Sequence, residues 1–404
     1  MLTGQTLPAA KRLTVLSSCC GVTGEAVLTD SAVILLYATS LYAGDAFALV
    51  TMAILPLLNG LLIVPMAGFI RFCNCRNLVL RSNIFALAGY VMTVCAAFFP
   101  GKIAAVILLG GIMLFAVCQT GFVSGWLPFL DMFLPAADRT GFLGIMRFWH
   151  QLSAICFLGA VSLLIGKNPR IEVLQMVLAA GALVFAGRIW FISRIRCMED
   201  KETQYPNWLR ALKMALTNPR VMKFSLYTIV LNIGSGAVIP LTLLYLKNQK
   251  HIADNLLVML SILIFIGMML GYLLIPKLEQ KTGRFGSLII VHVLILLSII
   301  GILLMRNAAY GFWGTAFFLM LCNCCIAANS VIASSEIMDR ANVDNKMMAM
   351  ALWGAFFYGG NGISRLAAGW CSSSPALGQY SLFIAGAITG IGLLLLRSVK
   401  KSQI

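Results

Sequence analysis

Apolar residues in this chain come in runs too long and too continuous for a soluble fold. Twelve stretches almost free of charge lie near residues 13–41, 46–70, 79–99, 103–130, 142–166, 172–193, 221–246, 255–276, 286–305, 309–336, 347–371 and 377–396. Each is long enough to cross a hydrocarbon layer of about 30 Å as a helix, which takes about 20 residues. Short polar punctuation separates them, as at Tyr42–Asp45, Phe99–Lys102, Lys167–Arg170, Lys247–Lys250 and Ser372–Pro375. The runs do not alternate apolar with polar, so they predict helices rather than barrel strands. The first run follows Lys11 and Arg12 and lacks a convincing small-residue cleavage site. It is expected to stay as a membrane helix and not to be removed as a signal peptide.

The longest polar connection, residues 194–220, divides the runs six and six. The predicted organisation is an N-terminal six-helix membrane domain (1–193), a linker (194–220) and a C-terminal six-helix membrane domain (221–404). Within the linker, Trp208, Leu209, Leu212 and Leu216 recur at helical spacing beside Arg210 and Lys213. That spacing predicts an amphipathic helix lying on the membrane surface. Basic residues set the orientation. The termini and even-numbered turnarounds hold 23 Lys and Arg, the opposite loops 6. Both termini are therefore expected in the cytoplasm, with the protein integral to the plasma membrane, a bacterial inner membrane being the expected setting.

Composition closes off other classes. Of 404 residues 60% are apolar and 11% charged, against about a quarter charged in soluble domains. A soluble enzyme, a nucleic-acid-binding factor and a disordered chain are excluded. The net charge of +16 is a topology signal and does not call for a nucleic-acid partner. Most of the 12 cysteines sit inside apolar runs and read as packing residues. Cys73 and Cys75, or Cys322, Cys324 and Cys325, lack zinc-knuckle spacing and a neighbouring histidine, so no metal and no cofactor is expected.

The halves repeat one another. Leu130-Asp131 leads through Pro135 and Asp138 to Arg139 and Gly141; Glu336 leads through Asp339, Arg340 and Asp344 to Lys346. The loop Gly68–Arg76 is likewise matched by Pro276–Arg284. With Asp131-x3-Pro135-x3-Arg139-x-Gly141 and Gln280-Lys281-Thr-Gly283-Arg284, the chain resembles the major facilitator superfamily over nearly its whole length. The family's loop pattern, Gly-x3-Asp-Arg-x-Gly-Arg-Arg, is kept at Gly68 and Arg76 but has Phe72 and Cys73 in place of Asp and Arg. Its second copy keeps Gly283 and Arg284, with Gln280 and Lys281 replacing the acidic–basic pair.

The resemblance implies an all-α fold of twelve membrane helices in two six-helix repeats. It also implies secondary transport of a small organic solute by alternating access, with substrate held near the midplane between the repeats. Residues 142–166 lack the Gly-Pro of drug antiporters, which favours uptake, by proton or sodium symport, over efflux or lipid flipping. A polytopic membrane enzyme is a distant alternative, because the loops are too short for a separate active site. The expected partners are a small-molecule substrate, a coupling ion and lipid, and the expected state is a monomer.

Charge inside the bilayer is costly and marks candidate function. Glu25 is the expected ion-coupling carboxylate, with Arg147 and His150 as partners. Asp30 and Arg365 lie at similar depths near the outer face and are expected to form a gate pair or bind substrate charge. Arg188 reads as snorkelling to an interface and His292 as a packing histidine. Gln119, Trp126, Trp149, Asn232, Asn323, Asn329, Trp353 and Asn361 are the expected cavity lining. In the seventh run, Asn232, Gly234, Gly236 and Pro240 predict a helix that bends.

Overall fold

The structure, a computed structural model, describes residues 6–41, 45–69, 75–131, 133–134, 139–166, 169–196, 208–305, 311–340, 346–372 and 380–400. Among the described residues there is no strand. In the N-terminal half are α1 (Leu7–Glu25), a π turn (Ala26–Asp30), α2 (Ala32–Leu41), α3 (Asp45–Phe69), α4 (Cys75–Cys95), α5 (Gly101–Asp131), α6 (Arg139–Leu164) and α7 (Ile171–Ser193). The linker helix α8 (Trp208–Thr217) follows, then α9 (Pro219–Ser235), α10 (Val238–Asn248), α11 (Asp254–Met305), α12 (Gly311–Arg340), α13 (Lys346–Ser372) and α14 (Ser381–Lys400).

Among the described residues, eight helical stretches are long and apolar enough to cross a membrane. One of them, α11, carries the predicted eighth and ninth runs and turns between them at Gly283, where φ is 69° and ψ 166°. A side chain is strained in that region of backbone space and glycine is not. The other predicted runs are α6, α13 and the shorter α14. Helices α6 and α13 carry Arg147, His150 and Gln151, and Asn361, Ser364 and Arg365, respectively, which lowers their apolarity; Arg147, Gln151 and Arg365 reach the opposite half.

Two sides of the bundle can be told apart. On one side, Ala10 near the start of α1 clusters with Val79, Phe142, Ile192 and Ile195, and α8 packs on α9 and α13. Arg76 fixes the end of α7 here, donating to the carbonyls of Ile195 and Ser193 at 3.2 Å each. Asn218 caps α9 by accepting from the backbone of Arg220 at 3.0 Å, with Pro219 in the first turn, the residue types a helix start favours. The last turns of α14 return to this linker side, because α14 runs antiparallel to α9, with Gly234 against Ala385 and Gly392 against Leu231. On the far side, Tyr37 donates to the carbonyls of Thr93 and Val94, and Gln175 to that of Val94.

The first run departs from expectation. It is not one helix but two, broken by the π turn and by Ser31, whose φ of −103° and ψ of 165° are extended. Thr29 and Ser31 return their hydroxyls to the carbonyls of Glu25 and Val27 at 2.8 and 3.1 Å. Such side chains compete with the helix ladder for backbone groups. The seventh run is also interrupted, between α9 and α10 at Gly236 and Ala237.

Candidate functional site

Glu25 is the last residue of α1, at the point where the helix widens. Gln119 of α5 donates to its Oε2 at 2.6 Å. On the same oxygen, 3.9 Å away, lies Nη2 of Arg188, from α7. The guanidinium is almost sealed, its side chain 3% exposed, whereas the carboxylate side chain is 25% exposed. Arg188 also donates to Asn83 at 3.5 Å and lies 4.3 Å from the ring centre of Phe122 and 5.3 Å from that of Phe185. Aromatic faces favour a desolvated cation. Gly21 makes room for it, since a Cβ there would overlap the guanidinium, and one at Gly24 would meet Phe185 at 2.7 Å.

This arrangement corrects two expectations. Arg188 does not snorkel; its long side chain turns inward across Gly21. Nor do the described contacts bring Arg147 or His150 to Glu25. Arg147 stands over the ring of Tyr272, 5.4 Å from its centre, and Nδ1 of His150 lies 3.1 Å from Ser18 Oγ. The side chain of Asp30 lies outside the described residues, as do those of Asp131 and Arg139. Arg365 donates to the carbonyl of Met52 at 2.7 Å.

The expected cavity residues of the C-terminal half are amides and a tryptophan, all neutral. Asn361 of α13 donates to Asn232 of α9 at 2.9 Å, and Trp353 Nε1 to Thr228 at 3.0 Å. Trp353 stacks loosely on Phe357, with ring centres 5.4 Å apart. Asn329 belongs to a buried chain instead: Tyr227 bonds its Oδ1 at 3.2 Å and lies 3.3 Å from His292 Nδ1, while His292 Nε2 meets the carbonyl of Thr389 at 2.8 Å. Asn323 bonds back to Leu319 on its own helix. Trp126 packs between Phe122 and Phe129. Trp149 is exposed on one face of α6 together with Ile145 and Leu163.

On the linker side the loop motifs meet. Arg284 donates to Glu279 at 3.0 Å and to Glu336 at 3.4 Å, and Glu336 pairs with Arg340 at 2.7 Å. The nearer acid of Arg284 is Glu279, one residue before the aligned Gln280, while Gln280 and Lys281 are exposed. Gly68 is buried at the end of α3.

Among the described residues, the hydrogen bonds joining the two halves run from the far side to the middle. Lys247 donates to Thr39 at 3.1 Å, Ser162 to the Asn255 carbonyl at 3.0 Å, and the Ala32 backbone to Ser261 at 3.1 Å. Deeper in, Gln151 meets the sulfur of Met268 at 3.9 Å. Helices α3 and α13 touch backbone to backbone, where a Cβ on Gly362 would lie 2.5 Å from Leu57 Cα.

No protein-family model and no curated protein sequence matches the chain. Its backbone is nevertheless similar to solved transporter structures. A point mutant of the nucleoside transporter NupG superposes with a TM-score of 0.73 at 14% identity, over 97% of this chain and 99% of that one. A bacterial homologue of the iron transporter ferroportin gives 0.75 at 10% identity in its inward-facing state, over 98% and 99%. Its outward-facing state gives 0.68. The partially occluded inward-open xylose transporter XylE from E. coli gives 0.74 at 10% identity, over 97% of each chain. The chain has the major facilitator superfamily fold.

Within that fold the two broken runs acquire a common meaning. One is the first described run of the chain and the other the first after the linker helix, and they break at residues 26–31 and 236–237. Paired interruptions of this kind mark the binding region of repeat-built membrane proteins. Glu25 sits on one of them and Asn232 just before the other. What sequence reasoning missed was Arg188. The signal was Gly21 and Gly24, spaced to clear one face of α1 for a bulky neighbour.

Proposed function

We propose that the protein is a secondary transporter that takes up a small, hydroxylated, uncharged solute together with a proton, a sodium ion being the alternative, by alternating access. The carrying observation is the Glu25 site, where a half-open carboxylate shares its oxygen with a sealed guanidinium and an amide. A shift of α7 against α1 changes how closely the cation attends the carboxylate, and so how readily the carboxylate holds a proton. Amides, hydroxyls and Trp353 on the C-terminal side offer hydrogen bonds and an aromatic face without net charge, which suits a polar neutral solute. The transporters of similar fold, for a nucleoside and for xylose, support that class.

The termini and linker lie in the cytoplasm in this reading, and the conformation is open toward them. The cross-half hydrogen bonds on the opposite part of the bundle support it, as does the better superposition on the inward-facing than on the outward-facing ferroportin homologue.

Glu25→Gln in proteoliposomes is the test. The variant keeps a group that can bond Gln119 but cannot cycle a proton. It is expected to exchange labelled solute across the membrane while failing to accumulate it under an imposed proton gradient. Accumulation at the wild-type level by the folded variant would overturn the assignment.

A further inference from the structure

The bond from Arg365 to Met52 has an unusual acceptor. Helix α3 contains Pro56 in its interior. Proline has no N–H, so the carbonyl four residues earlier loses its helical donor. That carbonyl belongs to Met52, and Nη1 of Arg365, from the opposite half, donates to it at 2.7 Å. The two backbones are close enough for this because glycines line the contact, with Gly359 against Gly60 and Gly362 against Leu57. Further along α3, Pro65 frees the carbonyl of Leu61 in the same way, but Leu61 is on an exposed face and meets no arginine there.

We propose that Arg365 and the proline-freed carbonyl of Met52 form the latch that holds the far side of the transporter shut. Pro56 supplies the latch with its acceptor. The bond joins α13 to α3, on the part of the bundle where the other cross-half bonds cluster, so the far side cannot part without breaking it. Its acceptor is a backbone atom fixed in a helix, and its donor carries charge, a combination stronger than an ordinary neutral hydrogen bond. The inference rests on the alternating-access reading above, because a latch needs two states to separate.

The test uses Pro56→Ala, which leaves the arginine in place. Alanine restores a backbone N–H that competes with Arg365 for the Met52 carbonyl, and it favours helix, so the variant folds. Spin labels on azide-bearing residues at Ser40 and Gln249, both exposed at far-side helix ends, report the separation without disturbing the native cysteines. Pro56→Ala and Arg365→Gln are each expected to raise the long-distance population about tenfold, the weight of one charge-assisted hydrogen bond. The double variant should go no further than Arg365→Gln alone, and Pro65→Ala should match wild type. A wild-type protein with two distances that Pro56→Ala leaves unchanged overturns the latch and spares alternation. An equal shift in Pro65→Ala also overturns it, since helix stiffness would then be the cause. A single distance that no variant moves overturns both readings.

Discussion

At the scale of single residues, the N-terminal half is organised around one buried cation. Arg188 is held by Glu25, Asn83 and two aromatic faces, and it fits only because Gly21 has no side chain. Gly21→Ala would push the guanidinium off its partners and leave charge buried without compensation, at a cost of about 3 kcal/mol or more. Thermal melting of the detergent-purified variant is expected to fall well below wild type. Gly159→Ala is the matched comparison, because a Cβ there meets nothing within 4 Å, and it should melt at or slightly above the wild-type temperature. A Gly21→Ala protein as stable as wild type would mean that Arg188 has another place to go.

At the scale of elements, the break in the first run is maintained across the two halves. The Ala32 amide, released where the helix opens, donates to Ser261 on α11 at 3.1 Å. Ser261→Ala would strand that buried donor, costing about 1–3 kcal/mol. Ser298→Ala would not, since Ser298 only returns its hydroxyl to Leu294 on its own helix. A lower melting temperature in the first variant and not in the second is the expected pattern. The helical runs, the linker helix and the bend at Gly236 are legible in the sequence, because continuous apolarity, amphipathic spacing and glycine each have a local cause. The π turn is not, because Ala26, Val27 and Leu28 read as uninterrupted helix and only Thr29-Asp30-Ser31 hints at backbone competition. Glu25 is legible as a costly charge, but its partners are not. Which of Arg147, His150 and Arg188 reaches it depends on how α1 is rotated against α6 and α7, and that rotation is a property of packing. Trp149 shows the same limit, since its side of α6 is decided by the neighbouring helices.

At the scale of the whole molecule, the start of α1, the end of α14, the linker helix and the motif network of Glu279, Arg284, Glu336 and Arg340 share one side. Reporter fusions at Gln249 and at Lys400 should therefore report opposite compartments, with Lys400 cytoplasmic by the basic-residue bias. The same compartment for both would refute the topology. The buried pair of Arg188 and Glu25 also constrains how the protein is made. Arg188 lies five residues from the linker-side end of α7. An arginine in a membrane helix costs most at the centre, about 2.5–3.5 kcal/mol, and here its counter-charge was synthesised long before, on the first helix. The ribosome releases α7 into a bilayer that already holds α1, α4 and α5, and the arginine is accommodated only if those helices still stand beside the insertion site.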